Sequence, residues 1–269
     1  MKLYLTTFYL AKLGNTKEEY EDAFYPKENG YKEGKKLSFS IADGASEGLW
    51  CGKWAEILVK SFCENEFLYN KFDENIIEDF IQVFTQKSYQ NWNQWKEDYQ
   101  SKRKNQGKEI QWYEEIGLGN GAFSTLLGLI FEDYEEENLR KWTALAIGDS
   151  CLFQIHKDEL KIKFPLEYSS DFNNRPLLFS SNPFKNKQSL NSIKKITGAW
   201  DCDDQFYLMT DALAYWFLKE FEENRKPWNF LCDLDTSDQT TDFYQWINEL
   251  RTKKAIRNDD VTLIRIDVL

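Results

Sequence analysis

Four acidic sites in this sequence share one context. Glu21-Asp22-Ala23, Ala42-Asp43-Gly44, Thr210-Asp211-Ala212 and Asn258-Asp259-Asp260 each fall at the end or start of a predicted strand, or in the turn beside one. A strand end is a rigid place from which to aim a side chain, and strands bring residues distant in sequence close together. Carboxylates gathered in this way repel one another unless protons or cations compensate them. Two divalent ions roughly 4 Å apart would do so, activating a water and clamping a phosphoryl oxygen. Among 45 acidic residues, any one of these aspartates alone reads as a cap or turn former. The set is what points to chemistry.

Other chemistries fall away. His156 is the only histidine, so a Ser-His-Asp or Cys-His nucleophilic site would have to use it, and it sits at the end of a predicted strand. A zinc site of the HExxH kind cannot be built. No cysteine is followed by an arginine six positions later, and Gly52-Lys53 lacks the rest of a phosphate-binding P-loop. Hard metals on carboxylates remain.

The elements that must position these residues can be read along the chain. Leu3 to Leu10 reads as a strand, and Gly14 to Lys36 as a polar, turn-rich segment. Leu37, Phe39 and Ile41 then alternate with serines, the period-two mark of a half-buried strand that stops at Asp43. Trp50, Trp54, Ile57 and Leu58 mark one amphipathic helix. Ile77, Phe80, Ile81 and Phe84 mark a second, running through Trp92, Trp95 and Tyr99 until the polar tract Gln100–Lys108 ends it. Strands are predicted at Phe123–Phe131, Trp142–Ile147, Cys151–His156 and Leu160–Phe164, as an antiparallel meander interrupted by the acidic tract Glu132–Glu137. Pro165–Gly198 has little periodicity and reads as a long irregular segment. A buried strand, Phe206–Thr210, leads into a helix near Ala212, and a helix at Asp242–Thr252 precedes the last strand, Val261–Ile266. The sequence has no repeat and no linker-like break, which predicts one mixed domain over residues 1–269.

Composition bounds the partners. A net charge of −11 argues against nucleic acid and against an anionic membrane surface. Five widely spaced cysteines without a CxxC pair suggest neither a zinc knuckle nor a disulfide framework. No apolar run approaches the ~20 residues that span a bilayer, and the N-terminus lacks the apolar core of a signal peptide. The expected compartment is the cytoplasm.

The order of the acidic motifs adds a resemblance. Gly14-Asn15-Thr16-Lys17-Glu18-Glu19-Tyr20-Glu21-Asp22, Ala42-Asp43-Gly44, Gly121-Ala122-Phe123-Ser124-Thr125, Gly148-Asp149-Ser150, Thr210-Asp211-Ala212 and Asp259-Asp260-Val261-Thr262 follow one another along the chain. Over nearly its whole length the sequence resembles the type 2C metal-dependent serine/threonine phosphatases, as a divergent, bacterial-like member. The resemblance implies an α+β fold of four layers, αββα, with a central antiparallel β-sandwich flanked by helices and the metals at one end. It implies two Mg²⁺ or Mn²⁺ ions. Asp43 would bridge them, the Gly44 carbonyl would bind one, and Asp211 and Asp259 would complete the other. Glu21 and Asp22 would act on the first ion and its waters, and a bridging hydroxide would attack phosphorus in line. The implied substrate is a phosphorylated protein, a serine/threonine kinase or its target.

The sequence also departs from that pattern. Lys17 stands where the family grips phosphate with arginine, and lysine lacks the bidentate fork. Ala45 replaces a histidine that some members carry, and Ala212 replaces a glycine. Tyr215 stands where several members have an aspartate that, with Asp149, binds a third ion, so a third site is expected weak or empty. Residues 165–198 occupy the place of a flap near the cleft. The aromatic group Trp92, Trp95, Trp112 and Tyr113 reads as packing or as a partner surface. Three readings follow. One is an active phosphoprotein phosphatase. The second is a catalytically inactive relative that binds a phosphoprotein as a scaffold, and the third is a two-metal hydrolase of small phosphoesters.

Overall fold

The computed structural model describes every residue except 47, 66–75, 135–138, 174 and 235–241. The chain opens with strands β1 (Lys2–Leu10), β2 (Ala23–Tyr25), β3 (Gly30–Glu33) and β4 (Lys36–Ala42). Helices α1 (Cys51–Cys63), α2 (Ile76–Asn105) and α3 (Trp112–Asn120) follow. Next come β5 (Phe123–Ser124), β6 (Leu126–Tyr134), β7 (Leu139–Ile147), β8 (Cys151–His156), β9 (Glu159–Phe164) and β10 (Phe179–Ser180). The last part holds α4 (Lys187–Asn191), β11 (Lys194–Ala199), β12 (Gln205–Met209), α5 (Asp211–Glu222), α6 (Pro227–Cys232), α7 (Asp242–Thr252) and β13 (Val261–Val268).

The longer strands form two antiparallel sheets, one ordered β3-β1-β13-β12-β8-β9 and the other β11-β7-β6-β4-β2. Alternating side chains let each sheet bury both faces. Leu5, Phe206, Leu208 and Ile264 of the six-stranded sheet meet Phe39, Ile41, Leu129 and Trp142 of the five-stranded one in the central layer. The outer face of the first sheet, with Phe153, Tyr207 and Leu263, packs on α5, α6 and α7. The outer face of the second, with Ile130 and Leu145, packs on α1 and α2. The result is the αββα sandwich that the resemblance implies.

Register decides what gathers at each end. Met209 pairs with both Leu263 and Cys151, so the end of β12 lies beside the starts of β13 and β8. Leu10 pairs with Val261. In the second sheet Ala23 pairs with Ala42, and Leu126 with Ile147. The segments carrying Glu21, Asp22, Asp43, Asp149, Asp211 and Asp259 therefore all leave the strands at one end of the sandwich.

Several elements differ from the sequence reading. β2 and β3 lie in the stretch read as turn-rich, and α2 runs to Asn105 through residues expected to end it. Lys, Arg and Gln are good helix formers, which carries α2 through that polar tract. The meander is split. β6 and β7 pair in one sheet, β8 and β9 in the other, and the chain changes sheet at Gly148-Asp149-Ser150. Part of the acidic tract between β6 and β7 lies outside the described residues. The 165–198 stretch holds 3₁₀ turns, β10, α4 and most of β11, and Phe172 packs edge-on against Tyr215 of α5. The aromatic group divides. Trp92 and Trp95 pack in a tilted pair with ring centres 4.7 Å apart, while Trp112 and Tyr113 on α3 are exposed.

Gly128 of β6 shows how closely α1 sits on the sheet. A Cβ there would lie 2.1 Å from the ring of Phe62, which is buried and held by Phe80 with ring centres 5.3 Å apart. Gly128→Ala should therefore lower stability by about 1–3 kcal/mol through overpacking. Urea denaturation checks this, and an unchanged midpoint would refute the packing argument.

Candidate metal centre

Asp43 follows β4, and its backbone is fixed from two sides. Its N–H donates to Thr125 Oγ1 (2.9 Å), and its carbonyl accepts from the Thr125 N–H (2.8 Å) and the Ser124 hydroxyl (2.8 Å). Thr125 Oγ1 is in turn 2.9 Å from Ser150 Oγ, beside Asp149. Three of the sequence motifs are thus wired together through hydroxyls. Gly44 follows because there is no room for a side chain: a Cβ would lie 2.6 Å from the Glu21 carbonyl oxygen and 2.8 Å from Cys51 backbone.

The N-terminal acidic pair is held from the last strand. Asp260 accepts the backbone N–H groups of Lys12 (2.8 Å) and Glu21 (2.6 Å), one on each carboxylate oxygen. Thr262 donates from Oγ1 to Asp22 Oδ2 (2.6 Å), and the same hydroxyl meets Tyr20. The Thr262 N–H donates to Thr210 Oγ1 (3.0 Å), the residue before Asp211. Asp259 is held through its carbonyl, which accepts from Arg251 Nη2 (2.6 Å).

Charge crowds here. Asp43 is pushed well above the usual carboxylate range by burial and then by Asp22, Asp211, Asp149 and Asp259. Asp22 is raised in the same way, with Asp260 and Asp211 as charged neighbours. Burial and Asp211 raise Asp149 to about 7, and burial and Asp259 raise Asp211 to about 6. Asp22 Oδ1, Asp149 Oδ1 and Asp211 Oδ1 are buried without hydrogen-bond partners. Buried polar atoms are rarely left so.

These residues suit hard divalent cations, which take carboxylate and carbonyl oxygens. Among the described residues, however, no three acidic, cysteine or histidine side chains already converge to hold an ion. Like charges without a counter-ion spread apart, and side-chain rotation on fixed backbones would be needed to close around a cation. The unpartnered oxygens and the mutual electrostatic reach of the aspartates fit such a group.

The cations near the site are not all those singled out from sequence. Lys17 is exposed in a 3₁₀ turn and borders a different cavity from Glu21 and Asp22. Lys12 lines the same cleft as that pair, a space of about 900 Å³. Its Nζ reaches Ser46 Oγ (2.8 Å) and Glu21 Oε2 (3.5 Å). The exposed Arg257 acts electrostatically on Asp149 and Asp211. Sequence reasoning passed over Lys12 and Arg257, because neither sits inside a motif. Asp260 and Thr262 stood inside the last motif, where only Asp259 was assigned a role.

No protein-family profile matches the sequence, and no curated protein is similar to it in sequence. Solved structures do match in fold. The serine/threonine phosphatase Stp1 from Staphylococcus aureus superposes with a TM-score of 0.60 at 13% identity, over 99% of this chain and 95% of that one. The Mycobacterium tuberculosis serine/threonine phosphatase PstP/Ppp gives 0.59 at 12% identity, over 100% and 99%. The PstP catalytic domain in complex with two manganese ions gives 0.55 at 11% identity, over 99% of each chain. The architecture and the end-of-sandwich carboxylates define a class, the αββα folds with an acidic centre between two sheets. Within that class, the chain has the fold of the type 2C metal-dependent serine/threonine phosphatases. No helix among the described residues is long and apolar enough to cross a membrane.

The crowded carboxylates give a pH dependence of definite sign. Asp149 and Asp211 hold their protons more tightly folded than unfolded, so their contribution is intact below about pH 4 and is lost as pH rises through about 6–7. Chelator-treated protein should lose on the order of a few kcal/mol across that window. Saturating Mn²⁺ should flatten the trend. Denaturation midpoints from pH 4 to 8, with and without the ion, read this directly, and a chelated protein that gained stability over that range would contradict it.

Proposed function

We propose that this chain is a metal-dependent phosphoric monoester hydrolase acting on phosphoserine and phosphothreonine in proteins. The observation that carries the reading is the gathering of five aspartates from five separate segments at one end of the sandwich, three of them with a buried oxygen lacking a partner. Such crowding destabilises a protein unless cations compensate it. Bound there, two Mg²⁺ or Mn²⁺ ions would neutralise the cluster, activate a water and polarise the phosphoryl group.

The chain's own part is positional. Asp43, the Gly44 carbonyl, Glu21 and Asp22 would hold one ion, and Asp43, Asp211 and Asp259 the other. Asp149 faces no second carboxylate at Tyr215, which makes a third site weak. Ser124 and Thr125 keep the Asp43 backbone in place. Thr262, by donating to one oxygen of Asp22, leaves the other free for an ion. Lys12, on the cleft wall, would pair with a phosphoryl oxygen as a point charge. Residues 165–198, anchored on α5 through Phe172 and through Ser169 to Glu222 (2.7 Å), would serve as the flap that selects substrate within a single domain of 1–269.

A second reading is an inactive phosphoprotein-binding scaffold. The Lys12 ammonium beside Glu21 favours it, since that cation already offsets part of the acidic charge.

Hydrolysis of a phosphothreonine peptide with Mn²⁺, with Mg²⁺ and with excess chelator separates the two. Turnover should require metal and fall by about 100-fold or more in Asp43→Ala and in Asp211→Asn. Lys12→Ala should mainly raise KM, as loss of a contact made equally to substrate and transition state does. Folded protein without turnover under any metal would leave the scaffold.

A further inference from the structure

A second cavity of about 330 Å³ adjoins the acidic cleft, sharing Lys12, Asn15 and Tyr20 with it. Its volume falls in the range of small-molecule sites. Phe8, Leu13, Tyr20, Phe243, Tyr244 and Arg251 are among its walls. Phe8 and Phe243 are buried and stacked, with ring centres 5.1 Å apart. Tyr9, Leu13 and Tyr244 are 53%, 50% and 48% exposed, and all three border this one opening. Large apolar side chains grouped around a concavity in this way mark binding surfaces more often than isolated ones do.

The charge in this cavity differs in kind from that of the cleft. Arg251 is only 7% exposed. Its Nη2 donates to the Asp259 carbonyl and its Nη1 to Asn248 Oδ1 (3.3 Å), while its Nε has no partner. A guanidinium carries five N–H donors in a fixed fork suited to carboxylate, sulfonate or phosphate. Among the described residues it makes no ion pair with a carboxylate. Asp259 and Asp260 lie within its electrostatic reach, but both Asp260 oxygens are taken by the N–H groups of Lys12 and Glu21. Lys17 borders the same opening and makes no ion pair with a described residue.

We propose that this cavity binds a small molecule that joins a flat apolar or aromatic body to one anionic group. The anion would be a carboxylate, sulfonate or phosphate on Arg251, and the body would lie against Phe8, Phe243 and Tyr244. The site adjoins the proposed catalytic cleft, with Lys12 and Tyr20 on the wall between them, and does not depend on the hydrolase reading. Arg251 also meets the acidic centre through its hydrogen bond to the Asp259 carbonyl.

The probe is 1-anilinonaphthalene-8-sulfonate, an aryl sulfonate whose emission rises in apolar surroundings, titrated into the full chain. Saturable one-to-one binding is expected. Affinity should fall by about tenfold or more in Arg251→Gln, in line with loss of a charged hydrogen bond, and measurably in Tyr244→Ser. Circular dichroism checks both folds. Tyr244 is half exposed, so Tyr244→Ser decides the matter should Arg251→Gln fail to fold. Mn²⁺ alone, which would load the acidic centre, should leave binding unchanged. Absence of saturable binding, wild-type affinity in Tyr244→Ser, or displacement of the probe by Mn²⁺ alone would each overturn the assignment.

Discussion

Mutual repulsion among buried and half-buried aspartates sets the terms for the rest of this molecule. Asp22, Asp43, Asp149, Asp211 and Asp259 come from segments far apart in sequence, yet Asp22, Asp149, Asp211 and Asp259 each raise the proton affinity of at least one other of the five. No interaction among their carboxylates holds them together. What holds them is the frame: two antiparallel sheets whose registers bring five chain segments to one end. The stability that keeps like charges close comes from three apolar layers elsewhere.

Hydroxyl side chains translate that frame into side-chain positions. Thr125 links the backbone of Asp43 to Ser150, and Thr262 links Thr210 to Asp22 and Tyr20. These bridges join the two sheets at the charged end, where apolar packing stops. Asp260 does similar work for the N-terminal loop by accepting two backbone N–H groups across more than 200 residues of sequence. It is therefore a structural carboxylate standing next to a functional candidate, and its charge is absorbed by the loop it holds. A fold organised in this way keeps the acidic residues on a rigid rim, with Lys12 and Ser46 on the cleft wall beside them.

The elements with strong periodicity were readable from the sequence. The alternation at 37–41 is β4, the helical spacing of Trp50, Trp54, Ile57 and Leu58 is α1, and Asp242–Thr252 is α7 to the residue. Short strands were not readable. β2 and β3 have three and four residues, too few to show a period, and exist because β4 and β1 offer them edges to pair with. α3 was hidden because its Trp112, Tyr113 and Ile116 face solvent, which removes the amphipathic signal. The sheet change at Gly148-Asp149-Ser150 also escaped, since a tight turn within a sheet and a crossing between sheets share the same local residues.

The sequence by itself determined the acidic motifs, their order, and the alternation of apolar faces, and from these the class of fold follows. Those features are local: they depend on residue types at short spacing. Tertiary structure alone decided which charges share a cleft. It set Lys12 beside Glu21 and turned Lys17 away, it made Asp260 a bracket for the loop, and it put Arg251 against the carbonyl of Asp259. Each of those contacts joins residues through space, by strand register and helix packing, and no spacing along one chain specifies them.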